Sequence, residues 1–371
     1  MKQGKTLEEL GKELMRQRDV RKDYISDTRS LEMDSSKSNG ILRLFLDDGA
    51  KEFTISQFAH QQIATRLGIP YRYYQKMQQS YPALLDENVN GWFAKSPERR
   101  MIRTLDGHVR AFLSDRYRRL DNIELCASVI PVIKEMKGAS IISCDVTESH
   151  LYLKIINKKL KAEMSVGDVV QAGFVISNSE IGLGCLKVEP LIYRLVCKNG
   201  LIVKDYSQKK YHVGRQAAGD EETAYEIYSD ATLAQDDKAF FMKVQDIVRC
   251  AADEAKFAMT VDKLRQTQKM PIGENPVQAV EELADSFLLT ENERGDILRQ
   301  LFMGRDNSRY GLINAITAAS QLAKDYERAT ELERIGGELL SLSAPHSLST
   351  KPTTFSIEKN ISPISSQLLQ A

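Results

Sequence analysis

The chain of 371 residues reads as an α+β protein, with a curved antiparallel sheet of β-hairpins, packed helices, an N-terminal helical unit and a helical C-terminal region. Three observations predict this. Between residues 41 and 197 runs of strand-forming residues alternate with turn signals, the strongest being Asp106-Gly107. Residues 56–79 carry a helical period interrupted by Gly68. Beyond Gly219 the period is helical for most of the remaining chain.

Taken in order, Thr6-Leu7-Glu8-Glu9 is a capping-box pattern that opens a helix to about Arg18. Residues 19–40 are polar with little periodicity and read as an arm. Ile41–Leu46, the turn Asp47-Asp48-Gly49 and Glu52–Ile55 form a hairpin. Ser56 caps a helix through Leu67, Gly68 stops it, and Pro70 leads into a second helix, Tyr71–Gln79. This is the outline of a helix-turn-helix, and its second helix offers Tyr71, Arg72, Tyr73, Gln75 and Lys76 to a duplex.

Strands Met101–Leu105 and His108–Ser114 flank Asp106-Gly107. A helix capped by Asp121 or Asn122 runs from Ile123 to Lys137, with a kink expected at Pro131 and a stop at Gly138. Ile141–Val146 pairs with His150–Ile156, and residues 178–184 join strands Gln171–Ser177 and Cys185–Val196. Helices are predicted at 222–269, 276–289, 291–303, 310–323 and 324–342. The serine- and proline-containing stretch 343–371 reads as a disordered tail, with Ile364–Leu369 as a candidate partner motif. The organisation is therefore 1–40, an N-terminal helix and arm; 41–98, a hairpin with the helix-turn-helix-like unit; 99–216, a basic β-rich core; 217–342, an acidic helical region; and the tail.

The zero net charge hides an asymmetry. Residues 95–216 hold 21 Lys/Arg against 13 Asp/Glu, whereas 217–344 hold 14 against 24. Such asymmetry speaks about partners. Seven arginines (99, 100, 103, 110, 116, 118 and 119) fall within 21 residues, which favours specific anion contacts over plain solubility. A two-residue Asp106-Gly107 turn would set Arg103 opposite Arg110 on the outer face, and place Ile102, Thr104, Val109, Ala111 and Leu113 on the core face. Two facing arginines repel unless an anion bridges them, either a carboxylate such as Asp115 or Glu124 or a phosphate backbone. Lys158, Lys159, Lys161, Lys204, Lys209, Lys210 and Arg215 follow later strands. Gathered on one rim they would make a basic groove, with Tyr117, Tyr206 and Tyr211 as stacking surfaces.

Several functions lack a signal. The five cysteines and five histidines are dispersed and show no metal-ligand spacing, and the cysteines read as buried reduced thiols. No Gly-rich phosphate loop or nucleophilic serine motif occurs, so no cofactor, metal or catalytic residue is expected. The N-terminus has no apolar signal segment and no run is long enough to cross a bilayer, so a cytoplasmic protein is expected.

Two segments carry a resemblance. Arg110–Asn122 (Arg-Ala-Phe-Leu-Ser-Asp-Arg-Tyr-Arg-Arg-Leu-Asp-Asn), and Asn178–Gly184 with Leu195–Leu201, resemble the signatures of a phage- and plasmid-borne family catalogued as domain of unknown function 932. Ala64–Pro70 with Tyr73-Tyr74 is similar to its N-terminal part. The resemblance covers about residues 40–340 and implies a mobile-element, replication or recombination setting. At fold level the core is also similar to phage single-strand annealing recombinases.

The function these observations favour is non-catalytic binding of single-stranded DNA, extending to strand annealing, by a homo-oligomer without membrane contact. Arg99, Arg100, Arg103, Arg110, Arg116, Arg118, Arg119, Lys158, Lys159, Lys161, Lys209 and Lys210 would meet phosphates, and Tyr117 a base. The rivals are a sequence-specific regulator using residues 56–79, a host-modulating protein whose basic arm meets an acidic protein, and a hydrolase assembled from Glu180, Asp115, Asp121 and His212.

Overall fold

In the computed structural model, residues 1–37, 39–117, 119–203 and 230–342 are described. The chain is α+β, and its antiparallel hairpins curl into two sheets. The first sheet holds β1 (Lys22–Asp27), β2 (Leu31–Asp34), β3 (Ile41–Leu46), β4 (Gly49–Ile55), β5 (Arg99–Leu105) and β6 (His108–Ser114) in the order β1-β5-β6-β4-β3-β2. Its one parallel junction joins β4 to β6, with Thr54 beside His108. The second sheet, β11-β10-β9-β8-β7, is antiparallel throughout: β7 (Ala139–Val146), β8 (Leu151–Ser165), β9 (Asp168–Asn178), β10 (Lys187–Arg194) and β11 (Asn199–Ile202).

The helices cover both sheets. α1 (Leu7–Val20) carries the expected Thr6–Glu9 capping box. α2 (Gln57–Arg66), α3 (Tyr71–Ser80) and α4 (Pro82–Lys95) bury Ile63, Tyr74, Leu85 and Phe93 against Leu42, Ile102 and Phe112 of the first sheet. α1, α5 (Asn122–Glu135) and α6 (Asp230–Cys250) cover Leu153, Ile155, Phe174 and Ile176 of the second. α7 (Glu254–Thr267), α8 (Pro276–Phe287), α9 (Glu291–Gly304), α10 (Arg309–Ala319) and α11 (Tyr326–Ser341) form a helical cap whose apolar faces pack on Val170, Ala172, Ile192 and Leu201. The acidic region thus caps the second sheet through these faces, while Met259, Leu288, Phe302 and Met303 stay exposed.

Four expectations are corrected. Residues 19–40 are not an arm: β1, a short 3-10 turn and β2 lie there, and Leu31 and Met33 are buried while Glu32 and Asp34 are only half-buried. The helix expected over 222–269 breaks at Ala251–Ala252, where Asp253 caps α7 by accepting from the Lys256 amide. Of its span, 222–229 lies outside the described residues, as does the tail 343–371. None of the five cysteines is in a disulfide; Cys126 and Cys144 are buried, and burial pushes their thiols up to about 12 and about 11, but Cys250 is exposed.

The fourth correction matters most for the site. Asp106 and Gly107 adopt the positive φ angles of the expected tight turn, and Thr104 pairs with Val109. A bulge then intervenes, so Arg103 pairs with Ala111 and not with Arg110. The bulge splits the expected core face. Ile102, Val109 and Phe112 turn towards α2–α4, while Met101, Ala111 and Leu113 turn towards Ile181 in the connection after β9. With both faces covered, Arg103 and Arg110 have no outer face to occupy.

Gly337 shows how tightly the helical cap is seated. A Cβ there would lie 1.8 Å from the Ile202 carbonyl oxygen of β11. Gly337→Ala is expected to destabilise the protein by about 1–3 kcal/mol, the usual cost of overpacking. Gly295→Ala in α9 meets nothing within 4 Å, and should be neutral or stabilising. Thermal melts of the two variants check the contrast, and equal midpoints would refute it.

Candidate nucleic-acid interface

The segments 110–122 and 178–184 meet in space as a buried ionic network. Arg103 donates from Nε to Asp23 Oδ1 at 3.0 Å, from Nη2 to Asp121 Oδ1 at 2.8 Å, and from Nη1 to the Glu180 carbonyl at 2.8 Å. Arg110 Nη1 donates to Glu180 Oε2 at 3.0 Å. Arg21 Nη2 donates to Asp121 Oδ2 at 2.6 Å, and its Nη1 lies 3.5 Å from Glu180 Oε1. Glu180 Oε1 also accepts from the Asn122 amide at 2.6 Å, a carboxylate at the N-terminus of α5.

Three arginines therefore face three carboxylates, and every oxygen of Asp121 and Glu180 accepts from or lies beside a cation or an amide. That satisfies the condition for burying charge at all. Burial lowers the Arg103 pKa, but Asp121 and Asp23 outweigh it and hold the guanidinium above its ordinary value. For Arg110 burial prevails over Glu180 and the pKa falls. With each oxygen engaged by a cation or an amide, Asp121 and Glu180 lock the arginines in place in this arrangement. Of the other hydrolase candidates, Asp115 stands apart at Ser114, and His212 lies outside the described residues.

The expected contact residues divide into buried and exposed groups. Arg103 is completely buried, and Arg110 and Arg100 nearly so; the expectation that they face phosphates is corrected. Arg100 pairs with Glu98 at 2.6 Å, and hydrogen bonds from Arg66, then Arg100, hold Glu98 down at about 2. Tyr117 is no open stacking platform: its hydroxyl donates to the Ser179 carbonyl at 3.1 Å and its ring packs with Leu113 and Ile181. Arg99, Arg116 and Arg119 are exposed, as are Lys158, Lys159 and Lys161. Arg118, Lys209 and Lys210 lie outside the described residues, with Lys204, Tyr206, Tyr211 and Arg215.

Arg99 and Arg116 lie towards the open end of the β5–β6 hairpin, where Arg100 pairs with Ser114, while Arg119 lies 3.6 Å from Asp23, opposite Arg103 further along β5; the lysines do not join them. Asn178 holds the 115–120 loop by donating to the Leu120 carbonyl at 2.9 Å, and pairs with Leu151. Lys158 stands seven residues further along β8, about 23 Å away at the strand rise. α5 spans the same gap, from Asn122 at Glu180 to Gly138 near Lys159. A single continuous rim of arginines and lysines is therefore not formed among the described residues.

Comparison with protein-family models, with curated proteins and with solved structures returns no match. The chemistry of the site rests on its own geometry.

Sequence reasoning missed Arg21 and Asp23, because they lie in the stretch read as an arm. The usable signal nearby was the apolar–polar alternation Leu31-Glu32-Met33-Asp34 of β2. It also counted charge along the chain and not through space. Asp23 and Glu333, both outside 95–216, neutralise Arg103 and Lys154 inside it. Among the described residues no group of three His, Cys, Asp or Glu is placed to hold a metal ion, and no helix is long and apolar enough to cross a membrane.

Proposed function

We propose that the protein binds single-stranded nucleic acid, DNA by preference, through phosphate contacts around the open end of the β5–β6 hairpin. The observation that carries this reading is the exposure of Arg99, Arg116 and Arg119 on backbone anchored from below. Arg119 is 58% exposed, with Asp23 3.6 Å away, while the loop bearing it is tied down by Tyr117, Asp121 and Asn178. Guanidinium groups on a fixed support lose little freedom on meeting a phosphate. Gly182 and Leu183 are exposed alongside, so the rim is open to an extended strand.

Contacts of this kind position a backbone without reading sequence. They also leave the bases accessible for pairing, which is what strand annealing in a phage or plasmid setting requires. A surface of three exposed arginines predicts modest affinity with marked salt dependence.

Salt titration of binding to single-stranded and duplex oligonucleotides tests the reading. Arg116→Ala with Arg119→Ala is expected to reduce the log–log salt slope for single strands by about 0.7 for each phosphate no longer neutralised, with circular dichroism unchanged. An unaltered slope would overturn it. So would tighter duplex binding, which would move the interface to the exposed Arg72, Tyr73 and Lys76 of α3.

A further inference from the structure

A cleft of about 810 Å³ lies at the other end of β6, between α1, α2, α3, the Asp106-Gly107 turn and the β7–β8 turn. That volume suits a small-molecule or single-residue ligand. Its positive groups are already paired. Arg16 bridges Glu13 and Asp106 at 2.7–3.0 Å, and Arg110 at the floor is held by Glu180. Among the described residues the lining therefore offers no uncommitted positive charge to a phosphate.

What remains is the exposed Glu148 carboxylate at one wall and a set of neutral, directional groups. Gln57 and Gln75 line the cleft, and among the described residues their side-chain amides make no hydrogen bond to the protein. Gln78 also lines the cleft, with its Nε2 3.2 Å from His60 Nε2. His60 itself is fixed, with Nδ1 2.8 Å from the Tyr74 hydroxyl and Nε2 2.8 Å from the Asn39 carbonyl, and burial lowers its pKa. Aromatic rings line it too: Tyr71, which stacks on Tyr74, the partly buried Phe58 and the exposed His108. Paired donor–acceptor amides beside aromatic faces match the edge and the face of a nucleobase.

We infer that this cleft is a nucleobase pocket that takes one unpaired purine, adenine before the others, with Gln57 and Gln75 on its edge. An amide pairs with the N6 and N7 positions of adenine in two parallel hydrogen bonds, which sets the preference. The inference deepens the single-strand reading and rests on it only for the source of the base. β6 leads from His108 in the cleft to Ser114, six residues or about 20 Å, with Arg116 in the turn just beyond. One strand could seat a base in the cleft and its phosphates on the arginines, within the span of a short single-strand site.

The test uses the full chain, adenosine, cytidine, and a short oligonucleotide with adenine or an abasic position at each place in turn. Adenosine should bind by calorimetry more tightly than cytidine. Q57A/Q75A should weaken adenosine at least about tenfold, the lower end for removing a bidentate pair, without changing the melting temperature. One abasic position should weaken the oligonucleotide by a similar factor, and that sensitivity should vanish in Q57A/Q75A. Both amides sit at helix positions where alanine folds well. If adenosine and cytidine bind alike, or if Q57A/Q75A changes neither ligand, the pocket is refuted while the arginine rim still stands or falls on its salt slope. If adenosine binds as expected and no oligonucleotide does, the pocket stands for a free nucleoside and the strand reading is refuted.

Discussion

Glu180→Ala is expected to destabilise the protein by about 3–5 kcal/mol, the range for removing one partner of a buried ion pair. The carboxylate does three things at once. It neutralises Arg110 at 3.0 Å, stands 3.5 Å from Arg21, and accepts the Asn122 amide at 2.6 Å at the start of α5. Without it three guanidinium groups, those of Arg103 and Arg110 buried and that of Arg21 half-buried, face the two carboxylates of Asp23 and Asp121. Arg110 then has only the Glu148 carbonyl, at 3.4 Å, which is too long to compensate its desolvation. Glu180→Gln keeps an acceptor for Asn122 but not the charge, so it should recover only part of the stability. Urea unfolding of both variants measures this, with Asp115→Ala as a surface control expected within about 0.5 kcal/mol of wild type. A Glu180→Ala cost below about 1 kcal/mol would show that the network is solvated and that the arginines are available after all.

The same network explains what could be read from the sequence and what could not. The turn Asp106-Gly107 was legible because only a few residues tolerate two successive positive φ angles, and the register next to it follows directly. The bulge at Arg110 was not. Alternation marks a face only when the other face meets water, and here Val109 to Leu113 is buried on both sides. The same double burial turned an apparent stripe of cations into internal partners. β1 escaped notice because its strand pairs polar residues with polar residues, Asp23 opposite Arg103 and Ser26 opposite Arg100. The α+β class, the hairpins and most helix starts were written in local signals, as the Thr6, Ser56 and Thr290 caps show. Which arginines reach solvent depended on Asp23, Asp121 and Glu180, residues up to about 160 positions apart, and no local pattern encodes that.

Lys154 and Glu333 carry the sharpest case of this kind, and their separation should be as costly as that of Glu180. The ammonium and carboxylate meet at 2.7 Å, and both side chains are fully buried between β8 and α11. Lys154 also lies 4.7 Å from the centre of the Tyr326 ring, while Glu333 Oε1 has no hydrogen-bond partner among the described residues. Burial pushes the Lys154 pKa down, and Glu333 is what opposes it. Lys154→Met alone is expected to cost about 3–5 kcal/mol, because it leaves a carboxylate in an apolar seam. Glu333→Leu alone should cost a similar amount, with a pH dependence of defined sign. A lysine whose folded pKa lies below its unfolded value near 10.4 loses its penalty as it deprotonates. The deficit of Glu333→Leu should therefore be largest below the folded pKa, and should shrink as pH rises towards about 10. Lys154→Met combined with Glu333→Leu removes both charges and the orphaned Oε1 together, so it should be near neutral, or more stable than wild type by up to about 4 kcal/mol. A double-mutant cycle followed by chemical denaturation at pH 7 and pH 9.5 measures all three quantities. Additive losses in the double variant would mean that the two groups are not coupled, and that α11 is seated on β8 by its apolar contacts alone.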